Sequence, residues 1–160
     1  DALSTFRGAS RRFQVVGKAG GVTLVDDYAH HPTEIQATLR AARDFFPGDR
    51  LWVVFQPHQY SRTRFFLKDF ARSFSQADVV IVPDIYFVRD SDQERQAVNA
   101  ADLVRELSGR GCEAEYVPEF PSIVDRLAER VEPGDVVLTM GAGNVHEVGY
   151  ALLERLRSHP

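Results

Sequence analysis

A chain of 160 residues with 44% hydrophobic and 26% charged residues is globular, and its length suits one domain that buries a full core without cross-links. The formal charge of -4 argues against nucleic acid as the main partner; the apolar runs are strand-sized, too short to cross a bilayer, and no signal peptide precedes them, so the expected compartment is the cytoplasm. The lone Cys112 excludes an internal disulfide and reads as a surface or half-buried thiol, because no activating group surrounds it.

Residues 1–10 show no period, and the chain starts without an initiator methionine, so they are expected to form a linker at the front of a piece of something longer. Phe13 to Val16, the glycine-rich Gly17-Lys18-Ala19-Gly20-Gly21, and Val22 to Val25 read as a β-hairpin. The second strand runs straight into Asp26-Asp27-Tyr28-Ala29-His30-His31-Pro32-Thr33-Glu34, where Pro32 suits the first position of a helix. Ile35, Leu39, Ala42 and Phe46 recur at helical spacing, and Pro47-Gly48-Asp49 ends that helix.

Leu51 to Phe55 is a continuous apolar strand followed by Gln56-Pro57-His58, and Phe65, Phe66, Asp69 and Phe70 predict a helix starting near Thr63. Val79 to Val82 is the next buried strand, stopped by Pro83-Asp84, and the charged segment from Arg89 to Gln96 is expected to be an exposed loop. Leu103, Val104 and Leu107 mark a helix ending at Ser108-Gly109. Glu115 to Val117 is a candidate short strand, and Ile123, Leu127 and Val131 mark a helix that Pro121 helps to start. Val136 to Met140 is the last strand, Gly141-Ala142-Gly143-Asn144 a tight loop, and Val145, Val148, Leu152 and Leu156 the closing helix. This alternation predicts an α/β, Rossmann-like three-layer domain over residues 1–160: a mostly parallel sheet flanked by helices and opened by a hairpin.

Four polar loops then follow four apolar strands: Asp26 to His31, Gln56 to Arg64, Pro83 to Tyr86, and Gly141 to Asn144. Parallel strands would bring them to one edge, where α/β sheets bind ligands. Zinc is disfavoured, because adjacent His30 and His31 cannot easily reach one ion and helical ligand spacing is missing. Asp27 and His31 are open to two readings, ligand contact and helix capping. Arg62, near a strand end and flanked by hydroxyls, suits an anion such as a carboxylate, whereas Arg64 reads as a solvated helix residue. The glycine loop lacks the full dinucleotide pattern, and no Gly-x-x-x-x-Gly-Lys-Ser/Thr occurs, so the chain has no nucleotide-phosphate cradle of its own. Arg11-Arg12 reads either as a basic surface pair or as a reach into a neighbouring domain.

Taken together, Arg11-Arg12-Phe13-Gln14, Asp26 through Glu34, Phe55-Gln56-Pro57-His58-Gln59-Tyr60-Ser61-Arg62-Thr63, Asp84-Ile85-Tyr86 and Met140 through Asn144 resemble, in order and spacing, the C-terminal domain of the Mur ligases. The second histidine and the Pro-His-x-Tyr-Ser-Arg-Thr segment resemble the alanine-adding branch. The resemblance implies an ATP-dependent amide ligase of peptidoglycan synthesis. With ATP and Mg2+ the carboxylate of UDP-N-acetylmuramate becomes an acyl phosphate, which the amine of L-alanine attacks. It also implies two further domains as partners, one for the UDP sugar and a central ATPase that carries the metal ligands and most of the catalytic groups, so this domain alone would be inactive.

On that resemblance His30, His58, Arg62 and Tyr28 would hold L-alanine, with Arg62 on its carboxylate. Asp27 would contact the ribose of ATP, and Arg12 would approach its phosphates. The segment Phe87 to Ala100 departs from the family pattern and has no assigned role. The rival readings are the same domain from the ligase that recycles a tripeptide onto UDP-N-acetylmuramate, and a non-catalytic ligand-binding module.

Overall fold

The computed structural model describes residues 11–159, so the linker expected over residues 1–10 lies outside the described residues. The chain forms β1 (Gln14–Ala19), β2 (Val22–Asp27), α1 (Pro32–Phe45), β3 (Leu51–Phe55), α2 (Tyr60–Phe65), α3 (Leu67–Arg72), β4 (Val79–Val82), α4 (Asp92–Ala97), α5 (Ala100–Gly109), β5 (Glu113–Tyr116), α6 (Phe120–Arg130), β6 (Val136–Met140) and α7 (His146–Ser158). The strands make one six-stranded sheet in the order β1-β2-β6-β3-β4-β5. The β1–β2 pairing is antiparallel and all the others are parallel.

The central strands β3 and β6 are buried at every position, which is why their sequences run apolar without alternation. Successive side chains still point to opposite faces. Val53, Phe55, Leu138 and Met140 pack with Ile35 and Leu39 of α1, Phe70 of α3 and Leu103 of α5. Trp52, Val54 and Val137 pack with Ile123 and Leu127 of α6 and Val148 and Leu152 of α7. The result is three layers, as the alternation of strand and helix predicts.

Because β6 returns between β2 and β3, Met140 pairs with Asp27 on one side and Phe55 on the other. The three carboxyl ends are therefore level, and the loops that leave them are neighbours. A bridge between His58 and Tyr86 brings in the loop after β4.

Besides β5, which runs over Glu113–Tyr116 where the sequence predicts Glu115 to Val117, three local elements differ from the sequence-based expectation. First, β1 extends to Ala19, and only Gly20 and Gly21, at φ 59° and 78°, make the turn. Two positive-φ residues give the two-residue hairpin whose twist matches the strands. Gly17 sits inside the strand beside a bulge, where an added Cβ would meet Leu153 Cδ2 at 2.8 Å. Second, the helix expected from Thr63 starts at Tyr60 and breaks at Phe66 into α2 and α3. Third, the expected loop from Arg89 to Gln96 contains α4, started by a capping box in which Ser91 Oγ accepts from the Glu94 N–H and the Glu94 carboxylate accepts from the Ser91 N–H.

Candidate functional site

The floor of the strand edge is fixed by Arg11. Its Nε donates to Asp26 Oδ2 at 2.8 Å, and its two terminal nitrogens reach the carbonyls of Gly143 at 3.1 Å and Gly141 at 2.9 Å. Asp26, almost wholly buried, also accepts from Thr139 Oγ1 at 2.7 Å. One guanidinium thus ties the end of β2 to the loop after β6. Two carbonyls of that loop thus face a cation.

Asp27 braces the chain on either side of β2. Its carboxylate accepts the N–H of Phe13 at 2.8 Å and of Ala29 at 2.7 Å. Burial pushes this carboxyl up from its ordinary value, against the pull of those N–H groups. Asp27 and the exposed Arg12 line one shallow cavity of about 220 Å3 with Tyr28, Glu34 and Thr38. This cavity has one guanidinium and no glycine among its lining residues.

His31 is the residue that precedes α1, and Glu34 reaches back to accept the N–H of His31 at 3.0 Å and of His30 at 3.3 Å. Burial works against the Glu34 charge, yet these two N–H groups outweigh it and hold the carboxyl below its ordinary value. His31 then packs edge-on against Phe66 at 5.5 Å, which commits it to the helix start. His30 turns the other way. Its Nδ1 lies 3.2 Å from the Tyr28 carbonyl, and its ring is 5.4 Å from Tyr28 and 6.3 Å from His58.

His58 leaves β3 on the far side of this cleft and stacks on Tyr86 at 5.1 Å with 12° between the planes. Its Nδ1 is buried with no hydrogen-bond partner among the described residues. Burial, then the charges of Arg62 and His30, push the His58 imidazole below its ordinary value, so the ring is neutral near pH 7. Arg62, half-buried in the first turn of α2, forms no ion pair with any described residue. A guanidinium without a counter-ion four residues after a neutral imidazole can receive a small anion carrying a hydrogen-bonding group.

The structure therefore brings the rings of Tyr28, His30 and His58 together, with Arg62 in the first turn of the helix that follows His58, while Arg12 and Asp27 share a cavity with Tyr28. Among the described residues no group of three or more His, Cys, Asp or Glu side chains is placed to hold a metal ion. Three groups at this edge have roles that spacing alone did not reveal. Tyr86 is the stacking platform for His58; Gly143 lacks the Cβ that would lie 2.7 Å from Gln56 Oε1 and 2.7 Å from Tyr86 Cδ2; and Asp90 accepts from the N–H groups that open α2. The Asp-Ile-Tyr and Gly-x-Gly patterns mark the positions of the first two but not these roles, whereas no pattern marks Asp90.

The profile of the Mur ligase, glutamate ligase domain matches residues 11–143. A UDP-N-acetylmuramate--L-alanine ligase from Caldanaerobacter subterraneus subsp. tengcongensis is 51% identical over 152 residues, which is 95% of this chain and 32% of the relative. The enzyme of that name from Agathobacter rectalis is 51% identical over 153 residues, 96% of this chain and 33% of the relative. The chain thus spans about a third of the length of the curated relatives it matches. The crystal structure of a UDP-N-acetylmuramate-alanine ligase from Thermotoga maritima superposes with a TM-score of 0.76 at 29% identity, covering 99% of this chain and 33% of that one. With the profile covering most of the chain, the chain belongs to the Mur ligase family, as its glutamate ligase domain.

Proposed function

We propose that this chain is the amino-acid-binding and closure domain of a cytoplasmic, ATP-dependent amide ligase that joins L-alanine to UDP-N-acetylmuramate in peptidoglycan synthesis. The observation that carries the reading is His58, neutral, stacked on Tyr86 and with its buried Nδ1 unpartnered among the described residues, four residues before Arg62, which has no described counter-ion. Relatives bearing that enzyme name at 51% identity support the choice of substrate.

Bound ATP with Mg2+ supplies the phosphoryl group that activates the muramate carboxylate; this chain supplies the place where the nucleophile waits. Arg62 pairs with the carboxylate of alanine, which fixes one end of the molecule. His58 and His30 lie on the amine side. A neutral imidazole accepts a hydrogen bond from that amine, where an imidazolium would repel an ammonium. Tyr28, 43% exposed, closes the outer wall. Orientation of this kind turns an encounter into a reaction within one complex. Arg12 and Asp27 meet the nucleotide edge when this domain closes on the ATPase domain.

The test is Arg62→Ala in the full-length enzyme. Losing a charge-assisted pair raises the KM for L-alanine about 10- to 100-fold, with the KM for ATP little changed. An unchanged alanine KM removes the carboxylate clamp from Arg62.

A further inference from the structure

Beyond Tyr86, the segment after β4 has no role in the proposed function, yet its first residues are bound to α2 and to the turn that leads into it. The Tyr86 N–H donates to the Pro57 carbonyl at 2.8 Å, and the Gln59 N–H donates to the Tyr86 carbonyl at 2.8 Å. One step further on, the Tyr60 N–H donates to Asp90 Oδ2 at 2.8 Å and the Ser61 N–H to Asp90 Oδ1 at 3.0 Å. Phe87 packs edge-on to Tyr60 at 6.2 Å, and the Arg95 guanidinium lies 4.9 Å from the Phe87 ring.

The helix so held is only six residues long, and Gln59 before it sits at φ 77° without being glycine. A helix of that length does not sustain itself, and a left-handed backbone in a side-chain-bearing residue is strained. Gln59 offers α2 no side-chain cap. Asp90 fills that place from 29 and 30 residues away, one carboxylate oxygen for each N–H. Burial works against its charge, but the N–H groups of Ser61 and Tyr60 hold its carboxyl below the ordinary value, so it is fully ionised near neutrality.

The geometry points to Asp90 as a positioning residue for the amino-acid substrate: by capping α2 from the loop after β4, it sets where Arg62 stands against His58. This rests on the reading of Arg62 as the alanine-carboxylate clamp. Asp90 touches no substrate itself. Its charge also sits at the positive end of the short helix, so the same contact that fixes the helix favours its ionised form.

The experiment measures steady-state kinetics of the full-length ligase with alanine and ATP varied separately. Asp90→Ala is expected to raise the alanine KM about tenfold while the ATP KM stays within about twofold, and Asp90→Asn, which keeps one acceptor oxygen, to fall between it and the parent. In an Arg62→Ala background Asp90→Ala is expected to add less than about twofold, because its effect passes through Arg62. An unchanged alanine KM in Asp90→Ala, an equal rise in both KM values, or full additivity with Arg62→Ala overturns the positioning role. If Asp90→Ala does not accumulate as folded enzyme, Asp90→Asn carries the same comparison, and an alanine KM equal to the parent's overturns it. A parent enzyme whose ATP turnover ignores alanine sinks the functional reading and this inference together, whereas the other negative outcomes sink this inference alone.

Discussion

Arg11 answers three acceptor groups with one planar guanidinium: the Asp26 carboxylate and the carbonyls of Gly141 and Gly143. Its own side chain is 19% exposed and that of Asp26 is 4% exposed, so the pair lies close to the low-dielectric interior. Removing one partner leaves the other charged and buried, with Thr139 Oγ1 as its remaining side-chain donor. Arg11→Ala is therefore expected to destabilise the domain by about 3 kcal/mol, read as a fall in the urea midpoint at pH 7. Arg11→Lys is expected to recover only part of the loss, since an ammonium cannot bond the carboxylate and both carbonyls in one plane. A midpoint shift near zero in Arg11→Ala would show that Asp26 finds solvent or another donor. The sequence presents Arg11-Arg12 as a uniform doublet, and its composition cannot separate the two. What separates them is the direction in which the chain enters β1: Arg11 turns under the sheet edge and Arg12 stays outside. Asp27 and His31 likewise allow two readings; the Asp27 carboxylate accepts two backbone N–H groups, and the His31 ring packs on Phe66 at the start of α1.

Among the elements, the loop after β6 shows how a site depends on what a residue lacks. Gly143 leaves room for Gln56 and Tyr86, and Tyr86 is the ring on which His58 stacks. A methyl at position 143 forces Tyr86 aside, and the displacement passes to His58. Gly143→Ala is expected to cost about 1–3 kcal/mol and to raise the alanine KM of the full-length enzyme. Gly109→Ala is the matching control: it lies in α5 with nothing within 4 Å of the new Cβ, so it is expected to be neutral or slightly stabilising. Equal effects from both substitutions would deny the Gly143 contact any special part. The long periodic elements, α1, β3 and β6, were legible because burial repeats in the sequence at the period of the structure. Short α2 and α4 were not. Each spans six residues and owes its existence to caps, one local at Ser91 and one distant at Asp90. The two halves of the Ser91-Asp92-Gln93-Glu94 box lie close together in sequence, but the segment has no apolar period and so reads as a loop. The Asp90 cap was not legible, because its partners lie 29 and 30 residues away.

At the scale of the whole molecule, the insertion of β6 between β2 and β3 is what makes the four polar loops one surface. Alternating strands and helices announced parallel pairing, but the strand order depends on which faces fit in three dimensions, and no local pattern encodes it. On the proposed reading this surface takes the amino acid and the edge of the nucleotide, while a phosphate-binding glycine loop with its lysine occurs nowhere in the 160 residues. Phosphoryl transfer relies on positioning and on charge neutralisation around the β- and γ-phosphates, and among the described residues no cluster is arranged to hold the metal that does this. The purified 160-residue chain is accordingly expected to release no phosphate from ATP above the rate in buffer, with or without L-alanine. The assay is phosphate release at millimolar ATP and Mg2+, with the full-length ligase as positive control. Sustained alanine-dependent hydrolysis by the isolated chain would place the transfer machinery on this sheet edge and overturn its assignment as one wall of a shared site.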